Sequence, residues 1–112
     1  MSLELSQQEL KRVLLIEVAG RVDSTTADQL GKALNDAIDA GQNQIVLDLS
    51  KVEYMSSAGL RELVSALKRL QRGRGDLRLA ALSERVEEVL ELAGLDEIFK
   101  IYDTQVEAVG SF

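Results

Sequence analysis

Two adjacent serines, Ser56 and Ser57, are the residues of this chain best suited to chemistry at a surface. They stand in the stretch YMSSAGLREL, between a strand-like run ending in IVLDLS and a helix-like run, LRELVSALKRLQ. A serine at a helix start can cap the helix by accepting a hydrogen bond from an unpaired backbone N–H group, which contributes ~1 kcal/mol. The same hydroxyl can instead meet another protein, and a phosphate placed on it would face the positive end of the helix dipole. The spacing alone leaves both roles open.

Two carboxylates, Asp23 and Asp48, are further candidate functional residues. Asp23 precedes STTA, so it either contacts a partner or belongs to an ordinary helix start. Asp48 lies in the apolar run near its predicted carboxyl end, where it either supports the serines by hydrogen bonding or ends a strand in solvent. We expect the supporting role. Ala58 and Gly59, which follow the serines, are small enough to leave them approachable.

The elements that position these residues follow from hydrophobic periodicity. LELSQQELKRVLLIEVAG predicts an N-terminal hairpin, and the near-continuous apolar run Gln44–Leu49 predicts a buried strand. A final short helix is expected from the capping box of Thr104–Glu107. Three longer helices and two further strands are predicted from the segments around Leu30–Ile38, LRELVSALKRLQ, DLRLAAL, SERVEEVLELAG and IFKIY. The pattern indicates an α/β fold: one domain, residues 1–112, with a mixed, largely parallel sheet, an N-terminal hairpin and about four helices.

The residue types that are absent limit the chemistry. The 112 residues include no cysteine and no histidine, which excludes disulfides and thiol nucleophiles and removes the commonest metal ligand and general base. A Gly-Lys-Ser/Thr phosphate loop is also missing, which disfavours a nucleotide-hydrolysing domain. The sequence therefore favours a binding protein over an enzyme, with no metal or cofactor.

The charge of the chain bears on its partners. A net charge of -6 argues against direct binding to nucleic acid or to an anionic membrane. The basic segment KRLQRGRGDLR is interpreted as a helix end, since cations there complement the dipole and Gly73 can terminate the helix. No apolar run approaches the ~20 residues that span a bilayer, and no signal peptide is recognisable. We expect a cytoplasmic protein.

Three stretches in order carry a family resemblance: GRVDSTTADQL, IVLDLSKVEYMSSAGLREL and LRLAALSERVEEVLELAGLDEIFKIY. Together they resemble the bacterial anti-sigma factor antagonists of the STAS domain family, over roughly Leu5 to Val109. The resemblance implies a partner switch. The unmodified antagonist would bind an anti-sigma factor and so free a sigma factor. The anti-sigma factor, itself a GHKL-type kinase, would phosphorylate a serine on the antagonist to break that complex, and a serine phosphatase is a further expected partner.

The residue roles implied by the resemblance centre on the serine corner, the segment from Ser56 to Leu60 between the predicted strand and the predicted helix. The usual motif resembles Asp-Ser-Ser/Thr-Gly-Leu, which maps the phosphate acceptor to Ser57. Ser56 stands in place of the usual Asp and is the rival acceptor, while Ala58 replaces the second hydroxyl residue. The implied partner-binding set comprises Asp23, Ser56, Ser57, Ala58, Gly59 and Leu60.

Two alternatives keep the same fold. The chain would serve as an accessory subunit of a lipid-transport ABC complex if the corner contacted an ATPase instead of a kinase. It would be a binding module without a phosphorylation cycle if neither serine were modified.

Overall fold

The computed structural model describes residues 3–112; Met1 and Ser2, the first two positions of the predicted domain, lie outside the described residues. The elements in chain order are β1 (Leu3–Leu10), β2 (Val13–Val22), α1 (Ala27–Asp39), β3 (Gln44–Met55), α2 (Ser57–Arg72), β4 (Asp76–Ala80), α3 (Glu84–Leu92), β5 (Ile101–Tyr102) and α4 (Gln105–Gly110). The predicted class, a mixed sheet with an N-terminal hairpin and four helices, is confirmed. None of the helices within residues 3–112 is long and apolar enough to cross a membrane.

The five strands form one sheet in the order β1-β2-β3-β4-β5. Strands β1 and β2 pair antiparallel as the predicted hairpin, and all later neighbours pair parallel. Parallel neighbours need a crossover connection, which α1, α2 and α3 supply in turn. The carboxyl ends of β2 and β3 therefore meet at one edge of the sheet, and α1 and α2 both begin there.

The two faces of the sheet are covered unequally. Side chains alternate along a strand, so Leu14 and Ile16 join the main core beneath α1, α2 and α3, whereas Val13 and Leu15 face the opposite side. On that side α4 covers a smaller cluster, which includes Ala108. Three helices are thus fixed on one face by a large aliphatic core, and the other face is covered only at one end.

Strand β3 is longer than the sequence pattern predicted. The predicted strand ended at Leu49, but the strand continues to Met55 with two irregularities in its pairing with β2. Its second half, SKVEYM, is interrupted by exposed polar residues because only one of its faces is buried. The continuous apolar run ends at Leu49, because from Ser50 onward only one face of the strand is buried.

Asp48 consequently lies in the middle of β3, and its expected support of the serine corner is wrong. Its Oδ1 accepts a hydrogen bond from the backbone N–H of Ser50 at 2.8 Å, and its Oδ2 accepts one from the side-chain amide of Gln105. That amide also donates to Glu17 Oε2 at 2.8 Å. Asp48, which is 7% exposed, therefore fastens the start of α4 to the sheet.

We predict that Gln105→Ala lowers the free energy of unfolding by about 1–2 kcal/mol, because it leaves a carboxylate oxygen of buried Asp48 without this donor. Urea denaturation measures the change. Gln71→Ala is the matched control, since Gln71 is exposed on α2 and its side chain bonds no described residue. Equal stabilities of the two variants would contradict this account of how α4 is held.

Candidate functional site

The serine corner is the junction of β3 and α2, and it is tied directly to the end of β2. Val22 and Met55 are paired as the last residues of the two parallel strands. Immediately beyond them, the backbone N–H of Ser56 donates to the carbonyl oxygen of Val22 at 2.8 Å. Asp23, the residue after Val22, and Ser56, the residue after Met55, therefore leave the sheet side by side.

Ser56 is the N-cap of α2. Its backbone is extended, and its Oγ accepts a hydrogen bond from the backbone N–H of Gly59 at 3.3 Å. Its carbonyl oxygen accepts the first helical hydrogen bond, from the N–H of Leu60 at 3.0 Å. The capping role that the sequence left open between the two serines thus belongs to Ser56.

Ser57 occupies the first helical position and is exposed. Its hydroxyl makes no hydrogen bond to any other residue in the described part of the chain. It therefore combines accessibility with a place on the first turn of a helix, where the unpaired N–H groups and the dipole favour negative charge. Of the two serines, only Ser57 has a hydroxyl that is free to react without breaking a cap.

Gly59 and Leu60 position the helix and do not face solvent. Leu60 is 7% exposed and belongs to the main core. A Cβ atom at Gly59 would lie 2.5 Å from both Met55 Sδ and Val22 Cγ1, far inside contact distance. The exposed part of the corner therefore contains fewer residues than the predicted partner-binding set, because Gly59 and Leu60 are buried beneath it.

Asp23 organises the turn between β2 and α1. Its Oδ1 accepts hydrogen bonds from the backbone N–H of Thr25 at 2.9 Å and from the Thr25 hydroxyl at 2.7 Å. The backbone N–H of Thr26 donates to the same oxygen at 3.2 Å, and the Thr26 hydroxyl donates to the carbonyl oxygen of Arg21 at 2.7 Å. The hydrogen bonds from Thr25, followed by those from Thr26, hold the pKa of Asp23 below its ordinary value of 3.8. Asp23 is therefore a fixed negative charge beside the serines.

The sequence missed the contributions of the two threonines. Asp followed two and three residues later by Thr is a pattern in which an aspartate oxygen collects local backbone and hydroxyl donors, and this signal was readable in DSTT. A second missed contact is the guanidinium of Arg21 over the ring of Tyr54, 4.5 Å from its centroid. It joins β2 to β3 just before the corner.

The corner presents an exposed hydroxyl, that of Ser57. Within residues 3–112, no group of three or more acidic side chains is arranged to hold a metal ion. Within the described residues, no basic side chain is hydrogen-bonded to Ser57 Oγ. Such a hydroxyl can accept a group from an enzyme that supplies its own base, and it can lie within a protein interface.

Comparison with known proteins gives one consistent family. A family model for the STAS domain matches residues 4–108. BtrV of Bordetella bronchiseptica, by name a candidate anti-sigma factor antagonist, is 34% identical over 98% of this chain and 95% of that protein. An anti-sigma-B factor antagonist of Listeria monocytogenes is 33% identical over 98% of this chain and 96% of that protein.

A solved structure of similar fold exists in two chemical forms. The unphosphorylated form of the anti-sigma factor antagonist SpoIIAA matches with a TM-score of 0.82 at 21% identity, covering 95% of this chain and 93% of that one. The phosphorylated form of Bacillus SpoIIAA matches with a TM-score of 0.77 at 20% identity, covering 96% and 98%. Both forms of SpoIIAA therefore have the fold described above.

The different environments of the two serines predict different costs of substitution. Ser56→Ala should lower the free energy of unfolding by about 1 kcal/mol, because the cap of α2 is lost. Ser57→Ala should change it by less than about 0.5 kcal/mol, as at an ordinary exposed position. Urea denaturation of the two variants side by side tests the assignment. A larger loss for Ser57→Ala than for Ser56→Ala would reverse it.

The turn around Asp23 predicts a specific pH dependence. Because its pKa is lowered in the folded state, its contribution to stability is present above the unfolded pKa and is lost as the pH falls through the lowered folded pKa. Carbon-detected NMR titration should give a carboxyl pKa below 3.8, and Thr25→Val should raise that pKa by removing the largest cause. An unchanged titration in Thr25→Val would show that the Thr25 hydroxyl does not lower the pKa of Asp23.

Proposed function

Because the chain belongs to the anti-sigma factor antagonists of the STAS domain family, we propose that it binds an anti-sigma factor and thereby releases a sigma factor. The observation that carries the proposal is the exposed hydroxyl of Ser57, which stands on a helix whose cap is supplied by its neighbour. Asp23, Ser56 and Ala58 complete the partly exposed surface around it. A sigma factor acts with RNA polymerase, so the proposed location is the cytoplasm, without direct contact to nucleic acid or membrane.

The proposed partner is an anti-sigma factor of the GHKL serine-kinase type. It would transfer the terminal phosphoryl group of ATP to Ser57 Oγ, and a serine phosphatase would restore the free hydroxyl. Ser57 is favoured over Ser56 because phosphate on Ser56 would compete with the hydrogen bond from the Gly59 N–H and would place its bulk on a partly buried atom. The proposal therefore assigns one serine to structure and the other to regulation.

The Ser56 departure from the usual motif is compatible with this assignment. Asp and Ser are both among the preferred N-cap residues, because each offers a short side-chain oxygen to the first N–H groups of a helix. Ser56 fills that role here, as its hydrogen bond to Gly59 indicates. The substitution keeps the helix start in register, so Ser57 still falls at the first helical position.

The proposed switch is electrostatic. A phosphate adds about 1.5 to 2 negative charges at pH 7, which the N-terminus of α2 tolerates within the domain. At an interface the same charge is desolvated, or repelled by carboxylates such as Asp23. A mispaired interfacial charge of this kind costs ~2 to 5 kcal/mol, equivalent to a roughly thirtyfold to several thousandfold loss of affinity. The shared fold of the two SpoIIAA forms supports a switch that leaves the domain folded.

We predict that unmodified protein captures a GHKL-type anti-sigma factor from the native cell, and that protein carrying phosphoserine at position 57 does not. Ser57→Ala should bind that partner constitutively and resist phosphorylation by it, whereas Ser56→Ala should still be phosphorylated. Calorimetric titration gives the affinities, and mass mapping gives the modified residue.

Three results would contradict parts of this proposal. Phosphate mapped to Ser56, or to neither serine, would remove Ser57 as the acceptor. Equal affinities of the modified and unmodified forms would remove the switch. Recovery of an ABC ATPase instead of a kinase would assign the chain to a transport complex.

A further inference from the structure

The exposed face of α2 carries a continuous line of polar residues that begins at Ser57. At 100° per residue, five exposed side chains fall within an arc of about 80° on the side opposite the core. This α2 stripe consists of Ser57, Arg61, Ser65, Lys68 and Arg72. With a rise of 1.5 Å per residue, it is about 22 Å long. Three of its five members are cationic and none is acidic.

The cations of the stripe stand apart from the many carboxylates of a chain with net charge -6. Two cations of α1 and α2 that lie outside the stripe are paired: Lys32 bonds Asp36 on α1 at 2.7 Å, and Arg69 forms an ion pair with Asp39 across the two helices. The three stripe cations form no salt bridge with any residue of the described chain. Glu62, the carboxylate of α2, is turned away from the stripe, and its Oε1 would lie 2.2 Å from a Cβ added at Gly31 of α1.

We propose that the α2 stripe is the surface that meets an acidic face of the anti-sigma factor, and that phosphate on Ser57 acts by reversing the charge at one end of it. The proposal rests on the proposed function. Its own ground is charge complementarity, because a line of unpaired cations on an acidic protein attracts and orients an acidic partner surface. The contact extends far beyond the serine corner, to Lys68 and Arg72.

Arg61 links the stripe to the switch. It lies four residues after Ser57 on the same face, the spacing at which an anion nearer the helix N-terminus pairs with a cation. A phosphate on Ser57 is therefore within the range of the Arg61 guanidinium. The modification then adds negative charge to the stripe and also pairs with Arg61, the cation nearest the corner. One phosphate therefore has two effects: it introduces an anion, and it removes a cation from those available to the partner.

The first test measures affinity for the purified anti-sigma factor recovered by the capture experiment. Lys68→Gln/Arg72→Gln removes two stripe charges without touching the corner, and Arg85→Gln, exposed on α3, is the control for a lost positive charge. Each stripe charge should contribute about two- to fivefold, mostly through the association rate, and the effect should shrink at high salt. Arg85→Gln should change the affinity by less than about twofold.

The second test needs no partner. Protein with genetically encoded phosphoserine at position 57 is titrated by phosphorus NMR, with and without Arg61→Gln. Arg61 should lower the second pKa of the phosphate, so Arg61→Gln should raise it, whereas Arg85→Gln should leave it unchanged. Identical titration curves for the two variants would overturn the role of Arg61.

The outcomes separate this inference from the proposed function. If the wild type binds the anti-sigma factor and the double variant binds as tightly as Arg85→Gln, the stripe is not the interface, although the proposed function stands. If the wild type binds no anti-sigma factor, both fall. If the chain self-associates and the double variant abolishes that association, the stripe is a surface that binds a second copy of this chain, and the proposed contact with the anti-sigma factor is wrong.

Discussion

The close approach of α2 to the ends of β2 and β3 is the constraint on which the serine corner depends. Gly59 permits it, since a Cβ there would lie 2.5 Å from side-chain atoms of both Val22 and Met55. The hydrogen bond from the Ser56 N–H to the Val22 carbonyl oxygen fixes the chain at the same point. With the helix held this closely by glycine, backbone and the buried Leu60, the position of Ser57 follows from local geometry. Small residues at this junction therefore serve packing first, and the accessible hydroxyl is a consequence of the packing.

Two serines side by side allow the cap of α2 and the proposed phosphate acceptor to be different residues. A single serine that both capped the helix and accepted a phosphate would have to give up its cap on modification. Here the Oγ of Ser56 accepts from Gly59, and the Ser57 hydroxyl is left free of the described residues. Asp23 is fixed in the same way, because the hydroxyl and amide donors of Thr25 keep its carboxylate charged and oriented. Ser56 and Asp23 are thus held by local hydrogen bonds in a cap and a turn, whereas the Ser57 hydroxyl is not held by any described residue.

The sequence predicted the fold class well because strong signals agreed with each other. The hairpin and the largely parallel sheet appear in the structure, and Thr104 caps α4 by accepting from the Glu107 N–H at 3.1 Å. Of the predicted capping box only this half forms, since Glu107 Oε1 accepts from the Thr104 hydroxyl instead of the Thr104 backbone N–H. The prediction from sequence failed where the number of buried faces changes along a single strand. Strand β3 is buried on two faces at first and on one face later, so its end and the role of Asp48 were misassigned. The sequence alone did not show which serine caps the helix, because a shift of one residue decides which of them precedes the first helical position.

Charge distribution decides how far one modification can act. Exposed charges are screened beyond about 8 Å in physiological salt, so a phosphate at Ser57 has little direct influence on Arg72, about 22 Å away along the helix. Under the proposed switch, its effect on binding would therefore arise at the corner and the first turn, where Asp23 and Arg61 lie close in sequence or in space. The distant cations Lys68 and Arg72 would attract the proposed partner with or without the phosphate. Such a surface would still attract its partner after modification, but the serine corner would no longer fit tightly against it. The phosphate would therefore act more on the lifetime of the complex than on the rate of encounter.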